Sequence, residues 1–274
     1  MPEIRVAEGS GVGVLGQGRP SEDRVVVLDD AVVVLDGATN LTPGLPSGGW
    51  YADRLAEQLG AGLRAAPDRD LAALLEDAIR EVATAHELVP GASPSSTVAI
   101  ARWTQDRVDA LVLADSPVVA FAGGQARPLV DDRLSRLPAS RHTYPQLLRS
   151  GAGYGEELAG ALRTGMATTA QRYRNREHGF WVAEADPAAA GQAVQASWDR
   201  RELDGLLLAT DGVSCGVDEY GLFDWPEAFA LARAEGPGAV LAAVRHAELE
   251  DPDGLRWPRP KRHDDQLLVL VDGL

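Results

Sequence analysis

Sulfur is scarce in this chain. A single cysteine, Cys215, among 274 residues excludes an internal disulfide and any multi-cysteine zinc or iron–sulfur site. The five histidines are scattered, which speaks against a His-rich metal centre. No apolar run reaches the roughly 18 residues that a membrane-spanning helix requires. The longest, around Val25–Leu35, is interrupted by Asp29-Asp30. The first residues, MPEIRVAEGSG, have no apolar stretch of the kind a secretion signal carries, so the expected location is the cytoplasm. Positive charge is in deficit too: 26 Lys and Arg stand against 41 Asp and Glu, for a net charge of −15. Binding to nucleic-acid backbones or anionic lipid depends on clustered Lys and Arg, so neither is expected as a partner.

What remains is ordinary globular composition, 45% hydrophobic and 24% charged, able to bury a core. No repeat, low-complexity stretch or linker divides the chain, so residues 1–274 read as one domain. The 29 Gly and 17 Pro predict many turns between short elements. Arg24–Leu28 and Ala31–Leu35 read as a β-hairpin turning at Asp29-Asp30. Both arms are continuously apolar, which predicts burial on two faces. An irregular loop over Ala38–Gly48 precedes two amphipathic helices, about Gly49–Leu63 and Arg69–Leu88. Strands follow at Thr97–Trp103, Arg107–Ala114 and Pro117–Phe121. A helical pattern spans Thr143–Tyr173, and a short strand is expected at Gly179–Ala183. Asp186-Pro187 carries the cap signature of another helix. The last third predicts a strand at Leu203–Ala209, helices near Trp225–Ala234 and Gly238–Glu248, and a strand at Gln266–Val271. Strands and helices alternate in blocks rather than singly, which predicts antiparallel sheets covered by helices and not a parallel α/β sheet.

One signature recurs. Apolar strands end in Asp and a small residue at Asp36-Gly37, Asp115-Ser116 and Asp211-Gly212, and acidic pairs precede strands at Glu22-Asp23 and Asp264-Asp265. Each alone is ordinary turn chemistry. As a set, carboxylates aimed at one place repel unless a cation lies between them, and carboxylate oxygens select hard ions such as Mg²⁺ and Mn²⁺.

The order SED…VVVLDG…SSTVAIA…LVLADS…LLLATDGVS…HDDQLLVLV resembles the metal-dependent serine/threonine protein phosphatases of the PPM, or type 2C, family over about Arg19–Val271. The resemblance implies an α+β, four-layer αββα sandwich, two packed antiparallel sheets flanked by helices. It implies that Asp36 bridges two divalent ions, with the Gly37 carbonyl beside it. Asp211 and Asp264 join the second ion, and Asp265 stands where the family often has Asn. Glu22 and Asp23 match the pair that holds ion-bound waters, and Asp115 with Asp211 can take up a third, weaker ion. The implied cofactors are two Mn²⁺ or Mg²⁺ ions, with Asp36 and Asp211 at the catalytic centre. The implied partner is a phosphorylated protein in a serine/threonine kinase pathway, and the expected state is a monomer.

The chain also departs from that pattern. Arg19, the candidate phosphate ligand, stands one residue nearer the acidic pair than the family spacing. Ala38 occupies the position of a histidine found in many eukaryotic members. The family's Gly-Asp-Ser-Arg stretch reads Ala114-Asp115-Ser116-Pro117, and Gly48-Gly49 arrives late after Asp36-Gly37. The segment 127–201 lies where the family has its variable flap and matches weakly. Cys215 and Ser95-Ser96-Thr97 have no base paired with them as nucleophiles. The glycine-rich Gly9–Gly18 stretch does not open a helix, and His142, His178 and His263 read as surface residues. Three readings therefore compete: an active two-ion phosphatase, a weak or inactive regulatory module of the same fold, and an unrelated sandwich whose Asp residues only make turns.

Overall fold

The computed structural model describes residues 1–40, 44–137 and 144–274. Among the described residues, ten strands form two antiparallel five-stranded sheets. One sheet runs β2 (Asp23–Val27), β3 (Ala31–Asp36), β4 (Val98–Trp103), β5 (Arg107–Leu113) and β8 (Val194–Asp199) in spatial order. The other runs β1 (Glu3–Gly9), β10 (Gln266–Asp272), β9 (Gly205–Ala209), β6 (Val118–Ala122) and β7 (Gln125–Leu129). Between them lies a core that includes Val32, Val34, Ala99, Val112, Leu206, Leu208 and Val269. The residues between these along the strands face outward onto helices. Val33, Leu35, Ile100 and Leu111 pack on α1 (Gly48–Ala65) and α2 (Leu71–Ala85). Val119, Leu207, Leu268 and Leu270 pack under α5 (Asp211–Asp218), α6 (Trp225–Glu235) and α7 (Pro237–Glu250). Successive side chains of a strand point to opposite faces, so a strand covered on both sides must be apolar at every position. The result is the four-layer αββα sandwich, with α3 (Tyr144–Arg149) and α4 (Glu156–Tyr173) in a satellite cluster around Val14 and Leu148.

Several local expectations need correction. β1, β7 and β8 alternate exposed with half-buried positions for most of their length, so they lack the apolar runs that marked the other strands. Gly179–Ala183 makes only isolated bridges, Ala183 to Ser96 and Phe180 to Arg174. Asp186 does cap, accepting from Ala188 N at 3.1 Å. It starts only a 3₁₀ turn, Pro187–Gln192, before the chain enters β8. The long helical pattern is split into α3 and α4, and Gly151 and Gly153 between them take positive φ of 87° and 63°. Its first residue, Thr143, lies outside the described residues, as do His142 and residues 41–43 of the loop after Ala38. No helix among the described residues is long and apolar enough to cross a membrane.

Candidate active site

The hairpin sets the first pair of acids. Its register places Asp23 on β2 directly opposite Asp36 on β3. Asp36 is then held by its backbone from the next strand: its N–H donates to Thr97 Oγ1 at 3.0 Å, and its carbonyl accepts from Thr97 N at 2.9 Å and Ser96 Oγ at 3.0 Å. Thr97 Oγ1 is in turn 2.6 Å from Ser116 Oγ, one residue beyond Asp115. The Ser96-Thr97 pair is thus a clamp joining the ends of β3, β4 and β5.

The second sheet brings the other acids. Asp211 follows β9 after the cap residue Thr210 and begins α5, a helix that the sequence reading missed. Asp264 and Asp265 immediately precede β10, which pairs with β9. The two parts touch closely: a Cβ built on Gly212 would lie 1.9 Å from the Asp265 carbonyl. Gly37 is constrained in the same way, since its Cβ would fall 2.4 Å from the Gly48 carbonyl carbon at the start of α1. In both Asp-Gly pairs the close neighbour that requires glycine is backbone. Thr210 ties the two sheets together. Its Oγ1 donates to Asp23 Oδ2 at 2.8 Å and accepts from Leu267 N at 3.0 Å.

Burial and mutual repulsion dominate the electrostatics. Burial is the first cause pushing the Asp36 carboxyl well above its ordinary range, and the charges of Asp211, Asp23 and Asp264 add to it. Asp211 is pushed up to about 7 by burial, with Asp264 and Asp115 adding to the shift, and it makes a side-chain hydrogen bond with Asp36. Burial likewise drives Asp23 well up, against the opposing Thr210 hydrogen bond. Asp115 is raised by burial, with Asp131 adding to it. Asp23 Oδ1 is buried with no hydrogen-bond partner.

On the other side of the cluster two cations face the acids. Arg19 pairs with Glu22, donates to Asp265 Oδ2 at 2.6 Å and lies 3.8 Å from Asp264 Oδ1. Asp265 also accepts from Gly11 N at 2.8 Å and Glu22 N at 3.1 Å, so one carboxylate pins three segments. Lys261, which the sequence reading did not single out, donates from Nζ to Asp264 Oδ1 at 2.6 Å. Burial pulls its ammonium down, with Arg19 adding to this, but Asp264 and Asp211 together hold it above its usual range. Arg19, Glu22 and Lys261 line one cavity of about 280 Å³ with Thr39, Asn40 and Arg163.

Two residues set aside from the sequence are also placed. Burial pushes the Cys215 thiol well up, which disfavours the thiolate that a nucleophile needs. His263 is not a surface residue. It lies half-buried with Nδ1 2.9 Å from Glu248 Oε2 and is pushed down to about 4, by burial first and then by Arg245, Arg259 and Arg262.

No protein-family model matches the chain, and neither does any curated protein. Solved structures do. The PPM serine/threonine phosphatase MsPP from Mycobacterium smegmatis, in complex with cacodylate, is 19% identical at a TM-score of 0.58, over 98% of this chain and 97% of its own. The Mycobacterium tuberculosis serine/threonine phosphatase PstP is 15% identical at 0.55, over 99% and 98%. The PstP catalytic domain with two manganese ions is 14% identical at 0.55, over 99% and 97%. The chain has the fold of PPM serine/threonine phosphatases across nearly its whole length.

Proposed function

We propose that this chain is a metal-dependent phosphoprotein phosphatase that removes phosphate from phosphoserine and phosphothreonine, residues 1–274 acting as one catalytic unit. The observation that carries the reading is that Asp23, Asp36, Asp115, Asp211 and Asp264 lie near enough for their charges to act on one another, in a fold shared with PPM phosphatases.

The residues present suit divalent ions. Asp23 Oδ1 is a buried oxygen without a donor, and Asp36 and Asp211 are pressed together although both are carboxyls. A cation relieves both conditions, and an all-oxygen donor set fits Mn²⁺ or Mg²⁺. Among the described residues no three such side chains already stand gathered as an ion's ligands. Asp36, Asp211 and Asp264, with the Gly37 carbonyl, are the residues that would hold two ions. Asp115 with Asp211 would hold a third, weaker one. When bound, such ions supply Lewis acidity and a water that ionises near neutral pH. Asp23 and Glu22 would orient water. Arg19, fixed by Glu22 and Asp265, presents a guanidinium to the cavity it shares with Lys261, where it would bind phosphoryl oxygens.

The partner is a phosphorylated protein of a serine/threonine kinase pathway, met by a cytoplasmic monomer. The test is phosphate release from p-nitrophenyl phosphate and a phosphothreonine peptide, with Mn²⁺ or Mg²⁺ and with EDTA. Folded protein that releases no phosphate with either ion refutes the reading. A regulatory module of the same fold is the second reading. It is favoured by one observation, that Arg19 and Lys261 already pair with Glu22, Asp264 and Asp265. Mn²⁺ calorimetry separates the two, since a module without a working site takes up no ion.

A further inference from the structure

The acids at the site are not treated alike. Asp264 Oδ1 receives the Lys261 ammonium at 2.6 Å and the Asp265 N–H at 2.9 Å, with Arg19 at 3.8 Å. Asp23, Asp36, Asp115 and Asp211 form no ion pair among the described residues, and Asp23 Oδ1 has no partner at all. One half of the cluster has its counter-charge in direct contact, and in the other half Asp36 and Asp211 feel Lys261 only at a distance.

Lys261 is not a mobile surface lysine that lies on Asp264 by chance. It is 7% exposed and sits in a loop pinned by a buried arginine. Arg259 donates to the carbonyls of Glu248 at 3.0 Å, Asp251 at 2.7 Å and Arg262 at 2.9 Å, and pairs with Asp251 Oδ2 at 3.2 Å. Pro258 and Pro260 flank that arginine and stiffen the backbone before Lys261. A buried ammonium needs a carboxylate, and breaking such a pair leaves an uncompensated charge. An ion that takes Asp264 Oδ1 as ligand must therefore displace Lys261, and one that takes Oδ2 must share the carboxylate with its charge.

We propose that Lys261 is a built-in cation that occupies Asp264 in place of one divalent ion, so that the chain binds one ion at Asp36 and the Gly37 carbonyl, and the ion shared by Asp36, Asp211 and Asp264 only weakly. This rests on the metal-dependent reading above. It assigns Lys261 a role in metal stoichiometry, as a positioning residue acting through Asp264.

The test is Mn²⁺ titration of the full chain by calorimetry, with Mn²⁺ electron paramagnetic resonance counting bound ions, for wild type, Lys261→Met and Lys261→Arg. Wild type is expected to bind one ion, with the second at least about tenfold weaker, as a fixed charge within contact distance dictates. Lys261→Met keeps the length and removes the charge, and is expected to tighten the second ion by about tenfold or more. Lys261→Arg keeps the charge and is expected to behave as wild type. Lys261→Gln repeats the neutral arm should the methionine variant fail to fold by circular dichroism.

Two ions of equal affinity in wild type, or neutral variants that leave the second ion unchanged, overturn the proposal. No Mn²⁺ in any of the proteins overturns it together with the metal reading. The expected stoichiometry without phosphate release upholds it and removes only the phosphatase reading.

Discussion

Replacing Asp211 by asparagine separates stability from function at this site. Asp211 is exposed at the start of α5, yet its carboxyl is pushed from 3.8 to about 7, by desolvation first, with Asp264 and Asp115 adding to it. Because the residue is reached by solvent, screening leaves about 1 kcal/mol of disfavour for its charged form. In the unfolded chain the group ionises near 3.8, so the unfolded state loses its proton first. Stability contributed by the protonated group is therefore complete below about pH 4, and is lost as pH rises to about 7. Asp36 and Asp23 are raised for the same reason and act in the same direction. Asparagine matches the shape of the protonated acid, keeps a donor toward Asp36 and carries no charge. In EDTA at pH 8, Asp211→Asn should be more stable than wild type by about 1 kcal/mol, or roughly 2–4 °C in Tm for a chain of this size. Near pH 4.5 the two should approach one another. Saturating Mn²⁺ should reverse the order at pH 8, because ligand binding stabilises only the protein that retains the site. Urea denaturation at the two pH values, with and without metal, measures all of this. A wild type whose stability in EDTA is flat from pH 4.5 to 8, or an asparagine variant no more stable at pH 8, refutes the account of buried, mutually repelling carboxyls.

Two further substitutions test the supports. Thr210→Val removes the donor to Asp23 Oδ2, leaving that buried carboxyl without a hydrogen bond on either oxygen, and should cost about 1–3 kcal/mol in urea unfolding. Gly212→Ala would stabilise α5 by about 0.5–1 kcal/mol if helix propensity alone acted. The Cβ contact of 1.9 Å with the Asp265 carbonyl predicts the opposite sign, a loss of about 1–3 kcal/mol, together with weaker Mn²⁺ binding in calorimetry as Asp264 shifts.

The chain's own order determined a good deal. The apolar arms 24–28 and 31–35 with their Asp-Asp turn specify a hairpin, and the hairpin register alone sets Asp23 against Asp36. Uninterrupted apolar strands such as Ala31–Leu35 and Leu267–Val271 required cover on both faces, and so required a layered sandwich. The strand-end acids were legible because turn chemistry and strand periodicity are local. Edge strands β1, β7 and β8 were not, since a half-exposed strand next to a covering sheet needs no apolar signature. Nor was α5, whose Asp211 reads as a turn until its glycine is seen to pack on the 264–265 backbone.

What only the tertiary structure decided is which acids meet and what already neutralises them. Asp23 and Asp36 belong to one sheet, and Asp211 and Asp264 lie beside the β9 and β10 strands of the other. Their approach depends on sheet stacking and on Thr210 bridging the two layers. Arg19 and Lys261 are 242 positions apart in the chain, yet the loop pinned by Arg259 and the segment that ends at Glu22 bring both onto the same carboxylates. No local pattern encodes that meeting, because the burial that shifts a carboxyl and the cation that answers it come from distant parts of the sequence.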